Sequence, residues 1–145
     1  MSLLARREHS RVQLARKLAP HAESTEELDA LLDDLVQRRL LSDERFVEAR
    51  TRLLGRKFGS ARIRHDLQQS GADAQLVAAA LQGVKGDEFE RACLVWQQRF
   101  GEPAVDVAGR ARQTRFLMAR GFDYGVVRRV LQCAGAAPLD EEIES

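Results

Sequence analysis

The feature that most narrows what this chain can fold into is that it repeats itself. Leu67-Gln68-Gln69-Ser70-Gly71-Ala72-Asp73 can be laid over Leu117-Met118-Ala119-Arg120-Gly121-Phe122-Asp123, with Leu, Gly and Asp coincident at an offset of fifty. The same offset puts Val77 on Val127 and Leu81 on Leu131. A shorter step returns the preceding segment, so that Phe46, Leu53 and Phe58-Gly59 correspond to Phe89, Trp96 and Phe100-Gly101. At the front, Ser10 to Leu14 and on to Leu18 matches the stretch from Gly59 to Leu67. A period in this range marks supersecondary units that cannot bury their apolar faces alone and stack on their neighbours.

The punctuation within each period is helical. Pro20, Pro103 and Pro138 all fall between apolar-periodic stretches, where a missing N–H costs little. Ser24 with Glu27 has the spacing of a capping box, opening a helix whose Leu28, Leu31, Leu32, Leu35 and Val36 share one face. Ser42-Asp43-Glu44 reads as the next N-terminus, since acids in a first turn meet the positive end of the dipole. On a wheel, the helix at roughly 43–57 puts Phe46 and Leu53 on one stripe and Val47, Leu54 and Phe58 on a second. Arg45, Arg52 and Arg56 line its opposite side, and Arg50 and Lys57 project between the stripes. Gly59-Ser60 ends that helix and starts another carrying Ile63 and Leu67. Gly71 suits a left-handed stop, and Asp73 can cap a third helix with Leu76, Val77 and Leu81. Frequent Leu, Ala, Arg, Glu and Gln, against scarce Ile, Thr and Tyr, point the same way.

The expected fold is therefore all-α: tandem repeats of a three-helix unit forming an elongated curved array. The copies fall at residues 1–41, 42–84 and 85–135, followed by an acidic tail at 136–145 that carries Asp140, Glu141, Glu142 and Glu144. The first copy has only the few residues before Ser10 for its opening helix. Its core is under-covered, which leaves a monomer or a helix-exchanged dimer open.

Chemistry is conspicuous by its missing parts. His9, His21 and His65 are isolated, Cys93 and Cys133 form no CxxC pair, and no glycine-rich nucleotide loop occurs. Adjacent acids such as Asp33-Asp34 read as a solvated helix face. The expectation is a protein that is not an enzyme and uses no metal or cofactor. No apolar run approaches the roughly 18 residues of a membrane span, and no signal peptide is visible. With two cysteines that read as small buried residues, this gives a soluble protein of the reducing cytoplasm.

Binding is the class that remains, and charge placement carries it. Net charge is only +1, yet Arg50, Arg52, Arg56, Lys57, Arg62 and Arg64 follow one another without an intervening acid. Such a run can grip phosphates or an acidic protein surface. Arg110, Arg112, Arg115, Arg120, Arg128 and Arg129 repeat the trend in the third copy. Trp96, Phe100, Phe116 and Phe122 recur at helical spacing and read as core, in preference to platforms for stacking bases.

Three stretches resemble the RecX family of regulatory proteins. Leu4-Ala5-Arg6-Arg7-Glu8-His9-Ser10-Arg11, with Leu14 and Lys17-Leu18, is similar to the family's opening motif. Leu41-Ser42-Asp43-Glu44-Arg45-Phe46, followed by Arg50, resembles its central helix start. Gly59-Ser60-Ala61-Arg62-Ile63-Arg64, then Asp66-Leu67 and Gly71, resembles its most recognisable stretch, although Ser60, Asp66 and Ala72 depart from the residues usual there. The resemblance implies a cytoplasmic modulator that lies in the groove of a RecA–DNA filament and suppresses its growth, ATP hydrolysis, strand exchange and coprotease activity. Carried residue by residue, it implies contacts from Arg6, Arg7, Arg11, Arg50, Arg62 and Arg64. The basic faces extend the candidate surface to Arg52, Arg56, Lys57, Arg112 and Arg115. Weak, salt-sensitive binding of single-stranded DNA stays open beside the RecA filament. The alternative is a helical DNA-binding protein, single-strand or helix-turn-helix-like, acting without RecA. Against sequence reading, the segment Gln75 to Leu81 carries few side chains able to read bases.

Overall fold

A computed structural model describes residues 7–135, which form eight α-helices and one 3-10 turn, with no strand among the described residues. Arg6 and the acidic tail lie outside them. In chain order the helices are α1 (Arg11–Leu18), α2 (Thr25–Gln37), α3 (Asp43–Gly55), α4 (Ser60–Gln69), α5 (Ala74–Gly86), α6 (Glu88–Arg99), α7 (Val107–Ala119) and α8 (Tyr124–Cys133). The 3-10 turn at Ala19–His21 follows α1 and holds Pro20 near its start, where no amide donor is needed.

Most helix starts obey local rules. Ser10 caps α1 with a reciprocal box, its side chain accepting the Gln13 N–H while the Gln13 side chain accepts the Ser10 N–H. Ser24 caps α2 by accepting the Glu27 N–H at 3.0 Å, the one half of the expected box that is made. Asp73 accepts the N–H groups of Gln75 and Leu76 at the start of α5. Gly71, Gly101 and Gly121 turn the chain after α4, α6 and α7 with φ of 70°, 74° and 91°.

The chain forms two compact units. One holds residues up to Leu53 together with Arg64–Ala80; the other holds Leu54–Ile63 and residues from Leu81 onward. In the first, Leu14, Leu32, Leu35 and Leu41 form a buried cluster with Ala15, Leu18 and Leu28 against it. The apolar face expected of α2 is narrower than its spacing suggests, because Leu31 and Val36 are exposed and no described element covers them. Leu53 is exposed as well, since the last turn of α3 runs past the core that buries Phe46. In the second unit, Ala92, Val95, Trp96, Leu117, Phe122, Val127, Val130 and Leu131 are buried together. The Trp96 indole N–H donates to Gln113 Oε1 at 2.9 Å, so its one polar atom is satisfied inside the core. Trp96 and Phe122 are thus core residues, as their spacing indicates.

The repeat has a hydrogen-bonding logic that recurs in each unit. In the first, Asp43 opens α3 and its carboxylate accepts the Arg11 N–H at 2.7 Å and the Asp73 N–H at 3.1 Å, tying down the starts of α1 and α5. In the second, Glu88 opens α6 and accepts the Ser60 N–H at 3.0 Å and the Asp123 N–H at 3.2 Å, at the starts of α4 and α8. An acid that opens one triplet therefore clamps the second helix of the preceding triplet and the third helix of its own. The glycines of the repeat share a second role: a Cβ on Gly71 would strike Val12, and one on Gly121 would strike Arg62, again fifty residues apart. Ser10 Oγ donates to the Ser70 carbonyl, while Gly59 N–H donates to the Arg120 carbonyl. In the second unit Gly59 thus meets Gly121 backbone to backbone, while in the first Gly71 lies against the Val12 side chain, and neither glycine leaves room for a Cβ.

Candidate electropositive cleft

The second unit gathers cations that the sequence keeps apart. The segment after α3 is folded back by the Lys57 and Phe58 N–H groups donating to the Leu54 carbonyl. Arg91 on α6 then fixes it, its Nη1 donating to the Gly55 and Phe58 carbonyls at 3.2 and 2.7 Å. Nη2 of the same guanidinium donates to the Val84 carbonyl and lies 3.8 Å from Glu88 Oε1, and Nε donates to Asp87, so Arg91 is a structural tie. At the end of α7, the Arg120 and Gly121 carbonyls accept from the Gly59 and Ala61 N–H groups at 2.8 and 3.2 Å. These bonds bring Phe58 and Arg62 beside Arg120.

The guanidinium groups there lie on aromatic faces. Arg62 and Arg120 sit 4.7 and 5.3 Å from the Phe58 ring centre, and Arg120 and Arg99 sit 4.9 and 5.2 Å from that of Phe116. Phe116 packs edge-on against Phe100 at 5.4 Å, which holds it in place. Each stacking contributes about 0.5–1 kcal/mol at an exposed site and fixes the planes of otherwise free side chains. The result is a cleft of about 210 Å³ lined by Arg56, Lys57, Val95, Gln98, Arg99, Phe116 and Arg120, with no acid in its wall.

The ends of α3, α6 and α7 meet in this region, and their C-terminal dipoles account for part of the cation content. The magnitudes show that this is insufficient. Three helix ends supply roughly 1.5 negative charges, against the five positive ones of Arg56, Lys57, Arg62, Arg99 and Arg120. Among the described residues none of these five pairs with a carboxylate. The cleft therefore carries a net excess of positive charge among the described residues.

Residues 42–81 match the family pattern described as RecX, second three-helix domain, and residues 86–131 match RecX, third three-helix domain. The chain belongs to the RecX family. It is 48% identical over 134 residues to the regulatory protein RecX of Leptothrix cholodnii, covering 92% of this chain and 85% of the relative. The counterpart from Ralstonia pickettii is 43% identical over 142 residues, covering 98% and 88%. Among solved structures, RecX from Lactobacillus salivarius superposes with a TM-score of 0.76 at 16% identity, covering 92% of this chain and 90% of that one. A second structure, titled regulatory protein RecX, superposes at 0.71 and 20% identity, covering 90% and 68%. Both share its all-helical fold.

The RecX-like stretches do much scaffold work here. Arg50 forms a two-pronged bond with Asp66 at 2.8 and 2.9 Å, joining the central stretch to the Gly59–Gly71 one, and the pairing raises its pKa further. Arg11 reaches Asp33 at 2.8 Å and the Asp29 carbonyl at 3.5 Å. Glu8 holds Arg45, which also donates to the Arg39 carbonyl. Arg7 is exposed, with one long contact to His9. Arg52, Arg56, Lys57, Arg62, Arg64, Arg112 and Arg115 are exposed and have no carboxylate partner among the described residues. The structure adds Arg99, which no basic run singles out and whose signal was the adjacent Phe100, and it places Arg120 of the third copy's basic trend on the same Phe116 ring. No group of three or more metal-ligating side chains occurs among the described residues, and none of their helices is long and apolar enough to cross a membrane.

Proposed function

We propose that this RecX-family chain is a cytoplasmic regulator that binds the RecA–DNA filament and, without catalysing a reaction of its own, inhibits its extension, ATPase, strand exchange and coprotease activity. Family membership supports the partner, and the uncompensated cluster of arginines supports the mode of contact. A filament carrying DNA presents a polyanionic groove, and exposed guanidinium groups steer toward it over several ångströms. The three helical copies at 1–41, 42–84 and 85–135 give it separate contact points along such a polymer. Of the candidate residues that the structure describes, Arg7, Arg52, Arg56, Lys57, Arg62, Arg64, Arg112 and Arg115 are available to a partner. Arg11 and Arg50 act first within the chain and touch a partner only with their remaining N–H groups.

The deciding experiment is a titration of this protein into RecA hydrolysing ATP on single-stranded DNA. Inhibition at sub-stoichiometric amounts is expected, and Arg62→Glu with Arg64→Glu should relieve it while leaving helicity intact. An unchanged ATPase rate across the titration would defeat the proposal. Inhibition that survives the charge reversal would move the contact off α4.

A further inference from the structure

We infer that the cleft between Phe58 and Phe116 is a phosphodiester-binding site, through which this protein holds single-stranded DNA directly and without sequence preference. The inference goes beyond the filament reading and does not need it, because the site is complete within one compact unit of the chain.

Two alternatives are disfavoured by the same geometry. Base stacking needs open aromatic faces, but Phe58 and Phe116 are each approached by two guanidinium groups. An acidic protein segment would need a desolvated apolar anchor at the centre of its contact. Here the one aromatic in the wall, Phe116, is half-buried beneath Arg99 and Arg120. What the site offers is charge laid out in a line. Along α7 and its C-cap, Arg112, Phe116 and Arg120 follow at i, i+4 and i+8 with Arg115 beside them, so the backbone positions of the cations rise about 12 Å along the helix up to the cleft. A backbone bearing one negative charge per link fits a row of this kind. Stacking against the rings leaves the guanidinium edges free, and those edges donate in pairs to phosphate oxygens. With the bases left outside, recognition is of the backbone and does not read sequence.

Salt dependence gives the test a number. If the four cations of the cleft wall each neutralise one phosphate, log K falls against log salt with a slope of about −2.8, equivalent to roughly fiftyfold weaker binding between 50 and 200 mM salt. Removing two of them should lower the slope to about −1.4, so that the same step costs about sevenfold. The experiment is fluorescence anisotropy of a labelled oligothymidylate with the full chain in the absence of RecA. It is run on the wild type, on Arg99→Gln with Arg120→Gln, and on Arg56→Gln with Lys57→Gln. The second pair touches no aromatic ring, so its result stands even if the first pair disturbs folding. Both pairs are expected to weaken binding at least tenfold at 50 mM salt and to flatten the slope, while Arg99→Lys with Arg120→Lys keeps it. A slope that neither glutamine pair alters would overturn the site. So would an oligoglutamate of equal charge that displaces the oligonucleotide as well as unlabelled oligothymidylate does, since the cleft would then be a receptor for acidic protein. The RecA ATPase assay on the same variants is read separately: loss of DNA binding with retained inhibition supports the cleft as a DNA site and places the filament contact elsewhere.

Discussion

Glu88→Ala removes a single buried carboxylate and so weighs the clamp that joins one helical triplet to the next. Glu88 is 3% exposed, and its two oxygens each accept a backbone N–H, from Ser60 and from Asp123. Asp123 makes no side-chain cap of its own at the start of α8, so truncation leaves both helices with one more unsatisfied amide. Losing a helix cap costs about 0.5–2 kcal/mol, and bonds to a charged acceptor fall at the upper end of that range. Two such losses come to about 3 kcal/mol, which for a chain of this size lowers the melting temperature by about 6–12 °C. Glu88→Gln keeps the reach and one acceptor oxygen but turns an amide NH2 toward the other donor, so it should fall between wild type and Ala. The matched control is Arg38→Ala, which breaks an exposed i, i+4 pair with Asp34 worth about 0.5 kcal/mol or less. Urea unfolding followed by far-ultraviolet circular dichroism reads all three. A Glu88→Ala loss no larger than that of Arg38→Ala would refute the clamp, and with it the account of why the repeat spacing matters.

Glycines should divide by what surrounds them. Gly121→Ala places a methyl about where Arg62 backbone lies, in a left-handed conformation with φ of 91°, and should cost at least about 2 kcal/mol. Gly83→Ala, inside α5 with open space around it, should instead stabilise by about 0.5–1 kcal/mol in the same assay. His9 supplies a pH dependence. Burial, reinforced by Arg7 and Lys17, holds its pKa below the ordinary 6.5, so the unfolded chain binds the proton more readily than the folded one. Its contribution is therefore present above pH 6.5 and is lost as pH falls through that value toward the folded-state pKa. Urea midpoints should decline more steeply from pH 7.5 to 5.5 (round values about one unit either side of the ordinary imidazole pKa) in wild type than in His9→Gln, and parallel declines would show that His9 plays no part.

The repeat was readable because its signature residues are fixed by backbone geometry. Leu67 and Leu117 are both fully buried, Val77 and Val127 are both core, and Gly71 and Gly121 both adopt positive φ, so each aligned pair does one job twice. The correspondence of Leu53 with Trp96 breaks because α3 outruns its cover, whereas Trp96 finds a core and a partner in Gln113. Periodicity reports which face a residue shares, and says nothing about how far the neighbouring element extends. Asp43 and Glu88 were harder still. Acids in a first turn have a sufficient local reason in their own helix dipole, and no pattern along the chain reveals that these two satisfy the ends of other helices.

The arginines show why a charge run is an imperfect guide to a surface. Arg50 opens a run with no acid inside it, yet Asp66 lies just past the end of that run and accepts two of its N–H groups. Arg99 and Arg120 belong to no shared run, yet they stack on the same ring. Pairing in space, not crowding in sequence, therefore separates scaffold from surface, and an alanine scan should fall into two classes on that basis. Arg50→Ala leaves the partly buried Asp66 without its partner and should cost about 1.5–3 kcal/mol of stability. Arg91→Ala leaves three part-buried carbonyls without the donor that now satisfies them, so it should cost at least as much. Arg56→Ala and Arg99→Ala should stay within about 0.5–1 kcal/mol of wild type in stability, since Arg56 stacks on no ring and Arg99 loses only exposed contacts with Phe100 and Phe116. Their loss should appear instead in affinity for oligothymidylate. A scan in which Arg50→Ala spares stability, or in which Arg99→Ala lowers stability and affinity together, would mean that geometry has not sorted these side chains by role.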